Sequence, residues 1–403
     1  MKIDPRKALP NFALACMCAL GLLIVNVAHA ATPRPRFKVV HAFNGGSGGA
    51  NPMNGLIASG GFLYGTTSSG GASGNGAVFQ INPKNGAETI LYNFAGGADG
   101  SGPQGNLVAD GAGNLYGTTA AGGASGAGTV FKIAGTKETV LHSFAGGPDG
   151  ADPVAGLTFD AAGNLYGTTS GGGTSSNGTV FELAAPQNAG SWTESVLYSF
   201  GTGTDGAVPV GGVTFDAAGN LYGTTSAGGA YNLGTVFQLV PGSGWTENIL
   251  HNFEDANDGS VPYAGLVADA FGNFYGAATQ GGQGGQDGGG TIYELTSSGG
   301  NWTFTPLYGV PGWGISGSFR NVVLDASGNI YATTHCDGDY GAGTVYELKR
   351  SGGSFTYELL YNFKGEKDGL YSFSNLVLSN GKLYGTTKYG GKDGSGVVFQ
   401  VTP

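Results

Sequence analysis

The sequence predicts an all-β protein: a seven-bladed β-propeller of four-stranded antiparallel blades, closed by the N-terminal strand joining the C-terminal three. Three observations predict it. The hexapeptide NLYGTT stands at Asn114–Thr119, Asn164–Thr169 and Asn220–Thr225. Its aromatic recurs at Tyr64, Tyr116, Tyr166, Tyr222, Tyr275, Tyr331 and Tyr384, at steps of 50 to 56 residues. A steady period marks stacked units that cannot bury their apolar faces alone. Each unit holds four short β-like runs joined by turn residues, as in an antiparallel meander. Finally, the two ends carry complementary fragments. The chain opens on Lys38–Phe43, a fourth-type run, and ends on Gly396–Val401, a third-type run without a fourth. The total is 28 runs, or seven sheets of four, which favours a closed ring over an open solenoid.

Composition agrees with this. The 403 residues include 81 Gly but no Gly-X-Y period, which excludes a collagen helix. A hydrophobic content of 40%, with 19 Tyr and 22 Phe, is too high for a disordered Gly-rich linker. Glycine disfavours helix, and only the N-terminus is apolar over a long stretch.

In chain order, residues 1–30 read as a secretory signal. Lys2, Arg6 and Lys7 precede the apolar run Phe12–Ala28, and Ala28-His29-Ala30 is a small-x-small cleavage signal. The alternative is an uncleaved anchor, for which the run is short. Residues 31–36 read as a linker and 37–403 as the propeller. Cys16 and Cys18 leave with the signal, so Cys336 is the one remaining thiol and no intrachain disulfide is possible. The chain carries a net charge of −10, and losing Lys2, Arg6, Lys7 and Asp4 leaves −12. That balance argues against a nucleic-acid partner. The expected product is a secreted, monomeric protein, extracellular or periplasmic, off the membrane after cleavage.

Within a unit, the first run ends on Asp, as in Gly156–Asp160 and Gly212–Asp216. A tight turn follows, where Asp caps the backbone and Gly or Asn takes positive φ. The second run is LYGTT, with Tyr and the first Thr on one face and Leu, Gly and the second Thr on the other. Its Gly is expected to admit an aromatic ring from a neighbouring blade. A Gly-rich loop leads to the third run, GTVFEL at Gly178–Leu183. The fourth run is VLHSF at Val140–Phe144 or ILHNF at Ile249–Phe253. In it His41, His142 and His251 alternate with Tyr92, Tyr198 and Tyr361, so these histidines read as packing rings rather than bases.

The pattern D-x-x-G-N-L-Y-G-T-T, then G-T-V-F-x-L, then V-L-x-x-F resembles the bacterial tandem repeats called GloVer repeats, of the "choice-of-anchor" group. The resemblance covers Phe37–Pro403. It implies a secreted or surface-displayed repeat protein and supplies no catalytic residues to carry over. Members often carry a C-terminal sorting anchor; this chain stops at Pro403 directly after a strand, so free secretion is the expectation.

In a propeller the inter-blade links and the loops from second to third strand share one rim. The links repeat Asp-Gly at Asp99, Asp149, Asp205, Asp258 and Asp368. These rim carboxylates can bind calcium or sugar hydroxyls, although calcium wants several oxygens on one centre and Asp-Gly is ordinary turn chemistry. No other cofactor is expected. Symmetry is broken in the sixth unit, by Trp313, by Arg320 at the start of the first strand, and by the loop His335-Cys336-Asp337-Gly338-Asp339-Tyr340. Arg320 can clamp a carboxylate and Trp313 can stack on a sugar ring. His335, Asp337, Asp339 and Tyr340 complete the candidate ligand site, with His335 and Asp337 able to serve as acid and base. The structural alternative is that Arg320 pairs with Asp337 or Asp339 and Trp313 fills a gap. No recurring carboxylate pair is visible, so the function expected is non-enzymatic binding of a carbohydrate or protein ligand. The alternative is an extracellular hydrolase or lyase acting on a glycan.

Overall fold

The computed structural model describes residues 35–187, 190–255, 257–282, 289–310 and 321–403. The expected signal segment, Trp313 and Arg320 lie outside the described residues. The chain forms the seven four-stranded antiparallel blades. Blade 3 shows the pattern, with strands Thr158–Phe159, Leu165–Thr169, Thr179–Ala184 and Thr193–Ser199 in order across the sheet. Blades 1, 2, 4, 5 and 6 repeat it, with second strands at Phe62–Thr67, Leu115–Ala121, Leu221–Thr225, Phe274–Ala278 and Ile330–Thr334. Blade 7 takes Val377–Ser379, Lys382–Thr387 and Val397–Thr402 from the C-terminal end. Its fourth strand is Arg36–Ala42, antiparallel, with Arg36 opposite Thr402.

The first strand and the turn after it explain why D-x-x-G-N-L-Y recurs. Asp160 Oδ1 accepts the N–H groups of Ala162 and Asn164 at 2.9 and 2.8 Å. Its Oδ2 accepts the Asn164 side-chain amide at 2.8 Å and the Tyr166 hydroxyl at 3.3 Å. One carboxylate thus needs an Asn four residues on and a Tyr six residues on. Asp110, Asp216, Asp269 and Asp325 bond the same two partners.

LYGTT is spelled by packing on both faces. Between blades 2 and 3, Tyr116, Val130 and Phe144 meet Leu157, Leu165, Phe181 and Leu183. Seven such clusters are found among the described residues, one at each interface. Burying one Phe of this kind contributes about 1.5–3 kcal/mol. The Gly serves a different ring from the one expected. Gly167 lies directly opposite Phe181 of its own third strand, and a Cβ there would stand 2.7 Å from Phe181 Cζ. The register itself lays the phenyl over the Gly, so the neighbouring blade is not needed. The first Thr ties blades together: Thr118 donates to Ala155 O and Thr168 to Gly211 O, each at 3.0 Å. The second Thr pairs across the strand, as Thr169 does with Thr179 at 2.8 Å.

Every fourth strand slips register by one residue at the same place, for example at Leu141 between Val140 and His142, and at Leu197 between Val196 and Tyr198. The extra residue, an aliphatic at each, joins the next interface; Leu141 and Leu197 do so. A bulge of this kind bends the strand and re-aims its side chains.

Candidate functional site

The inter-blade links and the second-to-third loops do share one rim. Backbone bridges join them at Ala50–Ser69, Ala151–Gly171, Ser260–Gln280 and Leu370–Tyr389. Six described links share a left-handed residue at one position: Asn51, Asp152, Val208, Val261 and Tyr371 have φ between 54° and 61°, and Gly102 takes the place in blade 2 at 61°. Left-handed valine is a strained conformation. The backbone N–H and carbonyl of Val208 are both engaged, the carbonyl also by the Ser226 hydroxyl at 2.9 Å. The Val208 N–H reaches back to Asn177 O of blade 3 at 2.8 Å, and its carbonyl accepts Ser226 N–H at 3.1 Å.

Two residues further on, each of these six links drops a side chain toward the axis. Met53, Gln104, Val154, Val210, Tyr263 and Phe373 share this position, and with Ser170 they line a cavity of about 360 Å³. Its wall is mainly apolar, with Gln104, Ser170 and Tyr263 as the residues that carry polar groups. Below it the first strands converge. Gly55 N–H bonds Asn106 Oδ1 at 2.7 Å, and Asn321 N–H bonds Asn375 Oδ1 at 2.9 Å. A second cavity, of about 330 Å³, is lined by the first strands along the central channel.

The loop singled out in blade 6 sits beside this mouth. The His335 ring packs on Tyr371 and Phe373, with centroids 4.5 and 4.0 Å apart. Lys388 Nζ lies 5.4 Å from the Phe373 centroid and 5.0 Å from that of Tyr389. Burial, reinforced by the Lys388 charge, pulls the His335 imidazole down to about 4. It is therefore neutral at neutral pH and a weak base. Asp337 is shifted up by burial, against a hydrogen bond from Gly338 N–H. Its charge acts on Cys336, Tyr346 and Tyr357. Burial and Asp337 push the Cys336 thiol up, away from thiolate. Asp339 and Tyr340 are exposed at the loop tip. Of the described candidate residues, His335 is the one whose packing leads to the mouth, through Phe373.

The five rim carboxylates each close their own link. Asp99 accepts the Tyr92 hydroxyl at 2.7 Å and the Ala95 N–H. Asp205 accepts the Tyr198 hydroxyl at 3.1 Å and Gly201 N–H. Asp368 takes the Tyr361 hydroxyl and Lys364 N–H at 2.8 and 3.0 Å. Asp258 stands 2.6 Å from His251 Nε2, and Asp149 3.3 Å from His142 Nε2. The histidines expected as packing rings do pack, edge-on against Phe43, Phe144 and Phe253. Two of them also face a rim carboxylate.

A recurring carboxylate pair, absent from the sequence reading, is present. Three residues before the bulge, Glu88, Glu138, Glu194 and Glu247 reach back to the preceding blade. Asp99 acts on Glu138, Asp149 on Glu194 and Asp205 on Glu247. Burial, helped by Asp99, pushes Glu138 up to about 7, and burial does the same to Glu88. In blades 5 to 7 the position is aromatic. Phe304 stacks on His251 at 3.7 Å, Tyr357 on Tyr308 at 5.6 Å and Phe37 on Tyr361 at 3.6 Å. The sequence repeats the Glu, in E-T-V-L-H-S-F, E-S-V-L-Y-S-F and E-N-I-L-H-N-F, but not the face it takes.

No curated protein matches this chain. Among solved structures it is similar to two candidate 6-phosphogluconolactonases. One, from Bacteroides fragilis, has a TM-score of 0.53 at 18% identity, covering 80% of this chain and 86% of that one. The other, from Bacteroides uniformis, has a TM-score of 0.52 at 15% identity, covering 80% and 88%. An ulvan lyase bound to -[GlcA(1-4)Rha3S]- aligns with a TM-score of 0.51 at 12% identity over 91% of this chain and 95% of its own. These likenesses carry the propeller fold. The Gloeobacter/Verrucomicrobia repeat matches residues 27–232, 135–285 and 212–403, in overlapping copies that run the length of the propeller. The chain belongs to this repeat family.

Proposed function

We propose that the chain is an exported binding propeller that takes a carbohydrate at the mouth of its central channel, without chemistry. The observation that carries this is the ring of Met53, Val154, Val210, Tyr263 and Phe373, with Gln104, around the cavity of about 360 Å³. Aromatic and aliphatic faces pack against the C–H faces of a sugar ring, while a few polar groups at the edge orient it. Lys388, set over Phe373, adds a cation beside the mouth and favours an acidic sugar. His335, held to about 4, is poorly matched to acid–base work at neutral pH.

A glycan panel probed with the purified chain tests the reading. Retention of acidic oligosaccharides is expected, with Tyr263→Ala and Phe373→Ala each weakening it about three- to tenfold, the worth of one aromatic contact. If no glycan is retained, or the double variant binds as the parent does, the mouth is not the site. Accumulation of shortened or unsaturated products would replace the binding reading by the hydrolase or lyase one.

A further inference from the structure

The outer edge of the propeller applies one three-position rule at each interface. The positions are the residue just after the bulge, the residue seven further on in the link, and the residue three before the bulge of the next blade. Between blades 1 and 2 they are Tyr92, Asp99 and Glu138; between blades 3 and 4, Tyr198, Asp205 and Glu247. Between blades 4 and 5 Phe304 replaces the Glu, and between blades 7 and 1 Gly48 replaces the Asp beside His41 and Glu88. Among the described residues, the interface of blades 2 and 3 is the one that joins an imidazole to both carboxylates: His142, Asp149 and Glu194.

The interface of blades 3 and 4 shows how two facing carboxyl groups are otherwise reconciled. The Tyr198 hydroxyl stands 3.1 Å from Asp205 Oδ2 and 3.2 Å from Glu247 Oε2, bridging both. Imidazole cannot copy that, because its Nε2 points one bond at one place. His142 Nε2 and Glu194 Oε1 are both shielded from solvent, and the polar group each of them faces is the Asp149 carboxylate. Buried polar atoms of this kind normally have partners. Asp149 Oδ2 is engaged by Ala145 N–H at 2.5 Å, which leaves Oδ1 facing His142 Nε2 at 3.3 Å. One ligand atom from each of the three side chains falls within 4.8 Å of the others.

We propose that blades 2 and 3 are joined by a divalent transition-metal ion of the zinc type, ligated by His142 Nε2, Asp149 Oδ1 and Glu194 Oε1. Bonds of about 2.0–2.2 Å in a tetrahedron set ligand atoms roughly 3.4 Å apart, close to the His142–Asp149 separation. The mixed nitrogen and oxygen set suits such an ion better than calcium, which seeks six or more oxygens. The fourth position takes water. The ion neutralises two facing carboxylates and gives both shielded atoms a ligand bond. It lies at the outer edge, so it clamps adjacent blades and is independent of the channel mouth.

Calorimetric titration of Zn²⁺ into the chelator-treated chain tests this. One ion per chain is expected, together with a higher melting temperature in its presence. His142→Tyr copies the residue that blades 1 and 3 carry at this position, so it preserves the local packing; it is expected to abolish both effects. Glu194→Gln, of the same shape as the parent, is expected to weaken binding, and Glu138→Gln at the next interface to leave it unchanged. The proposal is overturned if the parent binds no stoichiometric Zn²⁺, as it would if Asp149 and Glu194 merely share a proton. It is equally overturned if His142→Tyr binds as the parent does.

Discussion

Val208 and Val261 hold φ of 57° and 55°, a conformation that costs a β-branched residue more than most. They stand there because it is their backbone N–H and C=O that make the bonds, to the blade before and to their own loop, where Ser226 and Thr279 hydroxyls also donate. Val208→Gly keeps these bonds and removes the clash, and Gly102 already fills the place in blade 2. Urea denaturation should show the variant more stable by roughly 0.5–1 kcal/mol, the strain relieved less the added freedom of the unfolded chain. A less stable variant would mean that the valine side chain contributes more by packing than its backbone loses. Single residues also mark how far the sequence could be read. Asp160 and Gly163 announced their turn, but the bonds of that carboxylate to Asn164 and Tyr166 did not, because Asn also reads as a turn residue and Tyr as core. The mouth announced nothing: Met53, Gln104, Val154, Val210, Tyr263 and Phe373 share a place and no chemistry, so no motif exposes them. Gly167 was recognised as a close-approach site, but which ring came near depended on register.

At the scale of the strand, the bulge is what lets one fourth strand serve two interfaces with polar groups. In a regular strand Glu194 and Tyr198 would share a face. With Leu197 inserted between them, Glu194 turns to blade 2 and Tyr198 to blade 4. Strict alternation misplaces both, which is why the Glu row stayed hidden while the V-L-x-x-F core was plain. The row makes stability depend on pH. Glu138 is raised to about 7 by burial and by Asp99, against an ordinary value near 4.3. Between those values the folded chain keeps a proton that the unfolded chain has released. Stability is therefore highest at the acid side of that window and falls as pH rises through it. The side chain is partly solvated, which keeps the effect modest. Urea midpoints at about pH 5 and about pH 8 should be closer together in Glu138→Gln than in the parent, with the gain at the higher pH. An unchanged gap would acquit Glu138.

For the molecule as a whole, the closure by Arg36–Ala42 was legible in the strand types at the two ends, and it matters energetically. This strand covers the edge of Val397–Thr402 and carries Phe37, Val39 and Val40 into the flanking clusters. Removing residues through Phe43 should leave a bare strand edge and two opened interfaces. Loss of a single cooperative unfolding transition and concentration-dependent aggregation are expected, by calorimetry and light scattering. A truncated chain that stays monomeric and melts sharply would show that the ring holds without its clasp.

The switch from glutamate to aromatic at the outer position sorts the seams into two kinds, those of blades 7 to 4 closed by Glu and those of blades 4 to 7 closed by a ring. Cutting the chain between two blades and fusing its present ends would leave each seam with its old neighbours. Exchanging blade 3 for blade 6 would not: Tyr357 would press on His142 and Asp149, and Glu194 would face Tyr308. Order around the circle is written into the junctions, and seven near-copies are not interchangeable beads.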